Sequence, residues 1–155
     1  MDLPWTKIIA GIIITVIGGF ILNTLMDGLK RRAARKAERN NEIRTALRAL
    51  PPILHWAYSQ LESPLKTHGN LNPQILEIFD GRIESLRVDL PEYIVNELRT
   101  FRMTLESMIT DIEATMGKDE RLTLSKDGEE RTAFLIPLYN RKFLVNIYVE
   151  SYLDK

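Results

Sequence analysis

Between Lys7 and Asp27 the chain runs through nineteen residues, IIAGIIITVIGGFILNTLM, without a single charge. A helix rising roughly 1.5 Å per residue makes this run about 28 Å long. That matches the ~30 Å hydrocarbon core of a bilayer. A water-facing helix of that length keeps a polar side, and this one has none. Trp5 stands at headgroup level, where an aromatic anchor belongs, and Lys7 and Asp27 bracket the run. The residues ahead of it are nearly uncharged and no small-residue cleavage site follows Leu22, so it does not read as a removable signal. The expectation is a transmembrane helix within residues 1–29.

The formal net charge of zero hides an asymmetry. Residues 1–39 hold seven Lys or Arg against Asp2, Asp27 and Glu38, a net of +4, which leaves −4 for the remainder. Six of the ten residues from Lys30 to Arg39 are basic. The positive-inside rule therefore places everything after this neck (residues 30–39) on the cytoplasmic side of the cell's inner membrane. A domain of net negative charge lacks the cations that drive binding to long nucleic acid, so none is expected as a partner. No cysteine is present, which removes disulfides, thiolate metal sites and cysteine nucleophiles.

Within the expected span Gly11, Thr15, Gly19 and Asn23 recur every fourth residue and share one helix face. Small residues in that spacing let membrane helices approach closely, and Thr15 and Asn23 carry hydrogen-bonding groups for the contact. The bilayer and further copies of the chain are the partners this implies.

Residues 40–155 suffice for one modest core, and their periodicities predict an all-α bundle. Residues 30–50 contain good helix formers without Gly or Pro, so the membrane helix is expected to continue into the cytosol. An apolar stripe begins with Ile43, Ala46, Leu47 and Leu50. Pro51 and Pro52 should stop or kink that helix, with another running to about Ser63 and Pro64. Asn72 and Pro73 announce a helix with the stripe Leu76, Phe79, Ile83 and Leu86. Asp89 and Pro91 announce the next, where Ile94, Leu98, Phe101, Leu105, Met108, Ile112 and Met116 alternate intervals of four and three. Gly117 is placed to end it. Residues 117–130 read as the main loop, with LTLS and KDG also compatible with half a hairpin. The last segment fits a helix kinked at Pro137. Phe143, Val145, Ile147 and Val149 also alternate as a strand would; length favours the helix.

No phosphate loop, HExxH, GxSxG or zinc spacing occurs, so neither a metal nor another cofactor is expected and the chain does not read as an enzyme. Arg48 and His55 match the loose Arg-x4-6-His pattern of HEPN ribonucleases, across two prolines and with no polar residue after the arginine. His55 beside Trp56 also fits a packed residue. His68 stands among Lys66, Asn70 and Asn72, donors that suit a phosphate or adenine edge and that loops ordinarily carry. Arg82 and Arg102 lie off their apolar stripes, positions usually taken by surface ion pairs. Tyr139, Asn140, Arg141 and Lys142 combine a stacking ring, an amide and two cations in four residues, the requirements of nucleotide recognition.

One membrane helix, the KRRAARK neck and a helical cytosolic domain without catalytic motifs resemble the small membrane effectors of type III CRISPR systems. The resemblance implies antiviral defence: the domain binds a cyclic oligoadenylate such as cyclic tetra-adenylate, and the membrane part disrupts or depolarises the membrane. His68, Arg82, Arg102, Tyr139, Asn140, Arg141 and Lys142 would then be the ligand-binding set. A symmetric ligand suits a symmetric homo-oligomer, a tetramer among the options. The chain departs from better-known members in lacking a Rossmann-like sensor. The competing readings are a membrane-tethered adaptor that docks a protein through a helical face, favoured if the Ile94 to Met116 helix leaves an unusually apolar stripe exposed, and the ribonuclease.

Overall fold

The computed structural model describes residues 5–67, 70–86, 88–116 and 133–154, with side chains described from Thr24 onward except Thr67, Thr115 and Met116. Every element among them is helical: α1 (Trp5–Thr67), α2 (Ile75–Glu84), α3 (Glu92–Met116) and α4 (Ile136–Leu153). The chain divides into two compact units, Met1–Asn41 and Glu42–Lys155.

In the second unit, α1 buries Ile43, Leu47, Leu50, Leu54, Tyr58, Leu61 and Leu65, a row at intervals of three and four. The sequence leaves a stop or a kink open at Pro51 and Pro52; that row explains why the helix does not stop there and passes through both and through Pro64. An interior proline costs about 3 kcal/mol through its missing N–H and its clash with the preceding turn. Full burial of Leu47, Leu50, Leu54 and Leu61 on both sides of the pair, together about 6–12 kcal/mol, offsets the roughly 6 kcal/mol that two such prolines cost.

Asn72 starts the next element through a side-chain turn: its Oδ1 accepts the Gln74 N–H at 3.0 Å, just ahead of α2. From α2 Ile75 and Phe79 enter the core, while Leu76, Ile83 and Leu86 pack partly against it. Pro91, one residue before α3, accepts the N–H groups of Ile94 at 2.9 Å and Val95 at 3.1 Å. Ile94, Leu98, Phe101, Leu105, Met108 and Ile112 are all buried, as their spacing requires, with Ile109 beside them. Met116 and Gly117 lie outside the residues whose side chains or backbone are described.

The last segment is a helix, and Pro137 occupies its first turn. No kink is needed there, because a first-turn proline forgoes only an N–H that has no partner within the helix. Leu138, Val145 and Val149 of α4 join the core, which includes residues of all four helices. The Phe79 and Phe101 rings lie 5.5 Å apart between α2 and α3.

In the first unit the described side chains are almost all exposed. Residues 29–41, the basic neck included, are exposed, and so are the apolar residues Leu25, Met26 and Leu29. Among the described residues no helix is long and apolar enough to cross a membrane. The run 8–26 belongs to α1, but its side chains up to Asn23, including Gly11, Thr15 and Gly19, lie outside the described set.

Candidate functional site

On the first two turns of α4 the Tyr139, Asn140, Arg141, Lys142 group meets α1. Tyr139 sets its ring edge-on to Tyr58 at 6.0 Å, with 66° between planes. The Lys142 ammonium stands over both rings, 4.4 Å from the centre of Tyr58 and 4.9 Å from that of Tyr139. Ring quadrupoles attract a cation placed so, by about 0.5–1 kcal/mol where water has access. Burial pushes the Tyr58 phenol above its ordinary value; Glu62 adds to the shift and Lys66 opposes it. Lys66 is paired with Glu62 at 2.9 Å, one turn apart on α1. Asn140 is exposed beside Tyr139. Arg141 points away from this group and reaches Glu97 of α3 at 3.4 Å. Nearby on α4 the side-chain oxygen of Asn146 is buried and has no hydrogen-bond partner.

The other candidate cations lie apart from this group, each with an internal partner. Arg102 forks onto Asp80 of α2, Nε and Nη2 each donating at 2.8 Å, and also donates from Nη1 to Glu106 at 3.0 Å. These hydrogen bonds, those to Asp80 foremost, raise the Arg102 pKa above its ordinary value. Arg82 lays its guanidinium over the Trp56 ring at 4.1 Å, tying α2 to α1. His68 lies outside the described residues. Arg48 and His55 are both exposed on α1, seven positions apart, hence about 10 Å along the axis. Among the described residues no group of acidic and histidine side chains is arranged to hold a metal ion.

The feature that sequence reasoning overlooked is on the outer side of α4. Ile136, Tyr139, Phe143 and Ile147 are 52, 48, 55 and 41% exposed. Their spacing of three, four and four places them in one row, opposite the core row of Leu138, Val145 and Val149. A helix with one apolar stripe is satisfied by its own core; α4 has two stripes and buries one. The signal is in the sequence but interleaved with the core set, in the alternation of Phe143, Val145, Ile147 and Val149. Among the described side chains of α3, by contrast, Tyr93 and Met103 are the exposed large apolar residues, and the Tyr93 ring rests edge-on against Tyr148 at 5.6 Å.

No protein family, curated protein or solved structure matches the chain.

Proposed function

We propose that the chain is a single-pass membrane-anchored docking protein without catalytic activity, whose cytosolic helical unit presents the outer row of α4 to a protein partner. The observation that carries this reading is the row itself: four large apolar side chains, each about half exposed, on a helix whose opposite face is core. Soluble surfaces seldom leave such a contiguous strip uncovered unless something binds it. The anchor is supported by the nineteen uncharged residues 8–26, by the exposed apolar residues Leu25, Met26 and Leu29, and by an exposed basic neck. Lys and Arg in such a neck fix orientation and add attraction to anionic headgroups.

A photo-reactive residue placed at position 143 of the full chain in intact cells tests this reading. Irradiation is expected to give a covalent adduct with a protein, whereas the same residue at position 103, on exposed α3, gives none. A lipid adduct, or no adduct, at position 143 overturns it. Recovery of the chain in the alkaline-washed membrane fraction checks the anchor separately.

A second reading keeps the antiviral effector gated by a cyclic oligoadenylate. The observation favouring it is the juxtaposition of an ammonium, two tyrosine rings and an exposed amide at Lys142, Tyr58, Tyr139 and Asn140. Calorimetric titration of the full chain in micelles with cyclic tetra-adenylate tests it: saturable binding supports the effector, and its absence leaves docking as the function.

A further inference from the structure

Resting on the docking reading, we propose that the partner of the α4 row is a second copy of the chain, with the two α4 helices packed antiparallel so that Ile136 of each lies against Ile147 of the other.

Area is the first argument. The exposed parts of Ile136, Tyr139, Phe143 and Ile147 amount to about 400 Å², the size of patch that on a monomer is often functional. Two such rows laid together, with Leu144 and the polar residues at their margins, remove about 1,000 Å² from water, the lower limit for a specific interface. A partner that supplied only a polar surface would leave the apolar area without a counterpart. A copy of the same row supplies one of equal length and character, and a two-fold contact needs only one self-complementary patch.

Charge sets the direction. Glu150 is exposed about one turn beyond Ile147, on the row's own side of the helix, and Asp154 caps the C-terminus on the same side. The opposite end, at Ala133 and Ile136, carries no acidic residue among those described. A parallel pair would set Glu150 against Glu150 and Asp154 against Asp154, with both helix N-termini together. An antiparallel pair sets each acidic end beside the other copy's α4 N-terminus. With the rows aligned end to end, Ile136 meets Ile147 and Asn140 meets Phe143.

Other occupants fit less well. The sequence of residues 117–130, GKDERLTLSKDGEE, offers only Leu122 and Leu124 to an apolar strip. A bilayer surface would have to accept Glu150 and Asp154 against its anionic headgroups.

Because the chain has no cysteine, thiol crosslinking can test the arrangement directly in the full protein, diluted to few copies per micelle. Chains carrying Ile136→Cys and Ile147→Cys, mixed and mildly oxidised, are expected to form a disulfide-linked pair far in excess of that formed by either chain alone. Adding Phe143→Glu to both should reduce the mixed product at least tenfold, while circular dichroism stays unchanged. Met103→Cys serves as the exposed control and should stay monomeric. The proposal is overturned if the single-cysteine chains crosslink with themselves as well as the mixture does, or if no mixed product forms. A position-143 photo-adduct with a different protein would overturn self-pairing and leave docking standing; the loss of every protein adduct would overturn both.

Discussion

Phe143 and Val145 stand two positions apart on α4, one more than half exposed and the other fully buried. Truncating each to alanine should therefore reverse the order that size alone suggests. Val145→Ala removes two methyl groups, about 1.6 kcal/mol of transfer free energy. The hole left beside the α3 core adds to this, for a total of about 2–3 kcal/mol. In a unit of 114 residues (Glu42–Lys155) that loss lowers the midpoint of thermal unfolding by roughly 10 °C or more. Phe143→Ala removes the six ring carbons from a surface site. It should change the stability of the isolated chain by no more than about 0.5 kcal/mol, partly offset by alanine's better helix propensity. The assay is thermal unfolding of the full chain in detergent, followed by circular dichroism and repeated over a range of protein concentrations. At high concentration, where copies pair, Phe143→Ala should also lower the midpoint, because pairing stabilises only the folded state. The strand alternative places both residues on one face and makes the larger truncation the costlier. If Phe143→Ala costs as much as Val145→Ala in dilute solution, the assignment of two faces to α4 is wrong.

Three further outcomes follow from the ion pair, the orphaned amide and the buried phenol. Arg102 and Asp80 are 37 and 38% exposed, so a double-mutant cycle with Arg102→Ala and Asp80→Ala should give a coupling of about 1 kcal/mol despite the forked geometry, and molar salt should reduce it. Asn146→Leu removes a buried acceptor that has no partner and should raise stability by about 1 kcal/mol, read as a higher denaturant midpoint with unchanged slope. The folded state holds the Tyr58 proton more tightly than the unfolded chain does, because burial and Glu62 disfavour the phenolate. Its contribution is therefore complete below the ordinary tyrosine value of 10.0 and is lost as the pH rises through the higher folded value. Stability should fall more steeply in that alkaline range for the natural chain than for Tyr58→Phe.

The helices and most of the core could be read from spacing alone, because burial of one stripe is what a single-chain bundle must achieve. The α3 row shows this: Ile94 through Ile112 are all buried, and no other periodicity competes with theirs. The prolines alone leave a stop and a kink both open, because the choice rests on a tertiary gain: Leu50 and Leu54, on either side of Pro51 and Pro52, are fully buried and hold one helix through them. The candidate site was less legible. Composition could show that Arg82, Arg102, Arg141 and Lys142 lie off the apolar stripes, but their partners Trp56, Asp80, Glu97 and the two tyrosines come from distant parts of the chain. In α4 the two apolar rows overlap in sequence, and which one faces α3 depends on the rotation of the helix, a tertiary quantity.

Those internal partners also rank the cations as ligands for an anionic second messenger, and Lys142 comes first. For Arg102 to take a phosphate it must release a forked carboxylate and leave Asp80 and Glu106 facing the incoming negative charge, so the ligand would lose twice. Arg141 would likewise expose Glu97. Arg82 and Lys142 give up only ring contacts, worth about 0.5–1 kcal/mol, which weakens binding by no more than about fivefold. Of these two, only Lys142 has an exposed tyrosine ring and an amide beside it. Lys142→Met retains the aliphatic stem over Tyr58 and Tyr139 and removes the charge. Stability should change by less than about 1 kcal/mol, and crosslinking between α4 helices should be unaffected, since Lys142 lies off the outer row. Any binding of cyclic tetra-adenylate should drop at least tenfold, while Arg102→Met leaves it within twofold. Equal losses from both variants would mean that the ion pair opens to admit ligand, and the ranking by internal partners would be wrong.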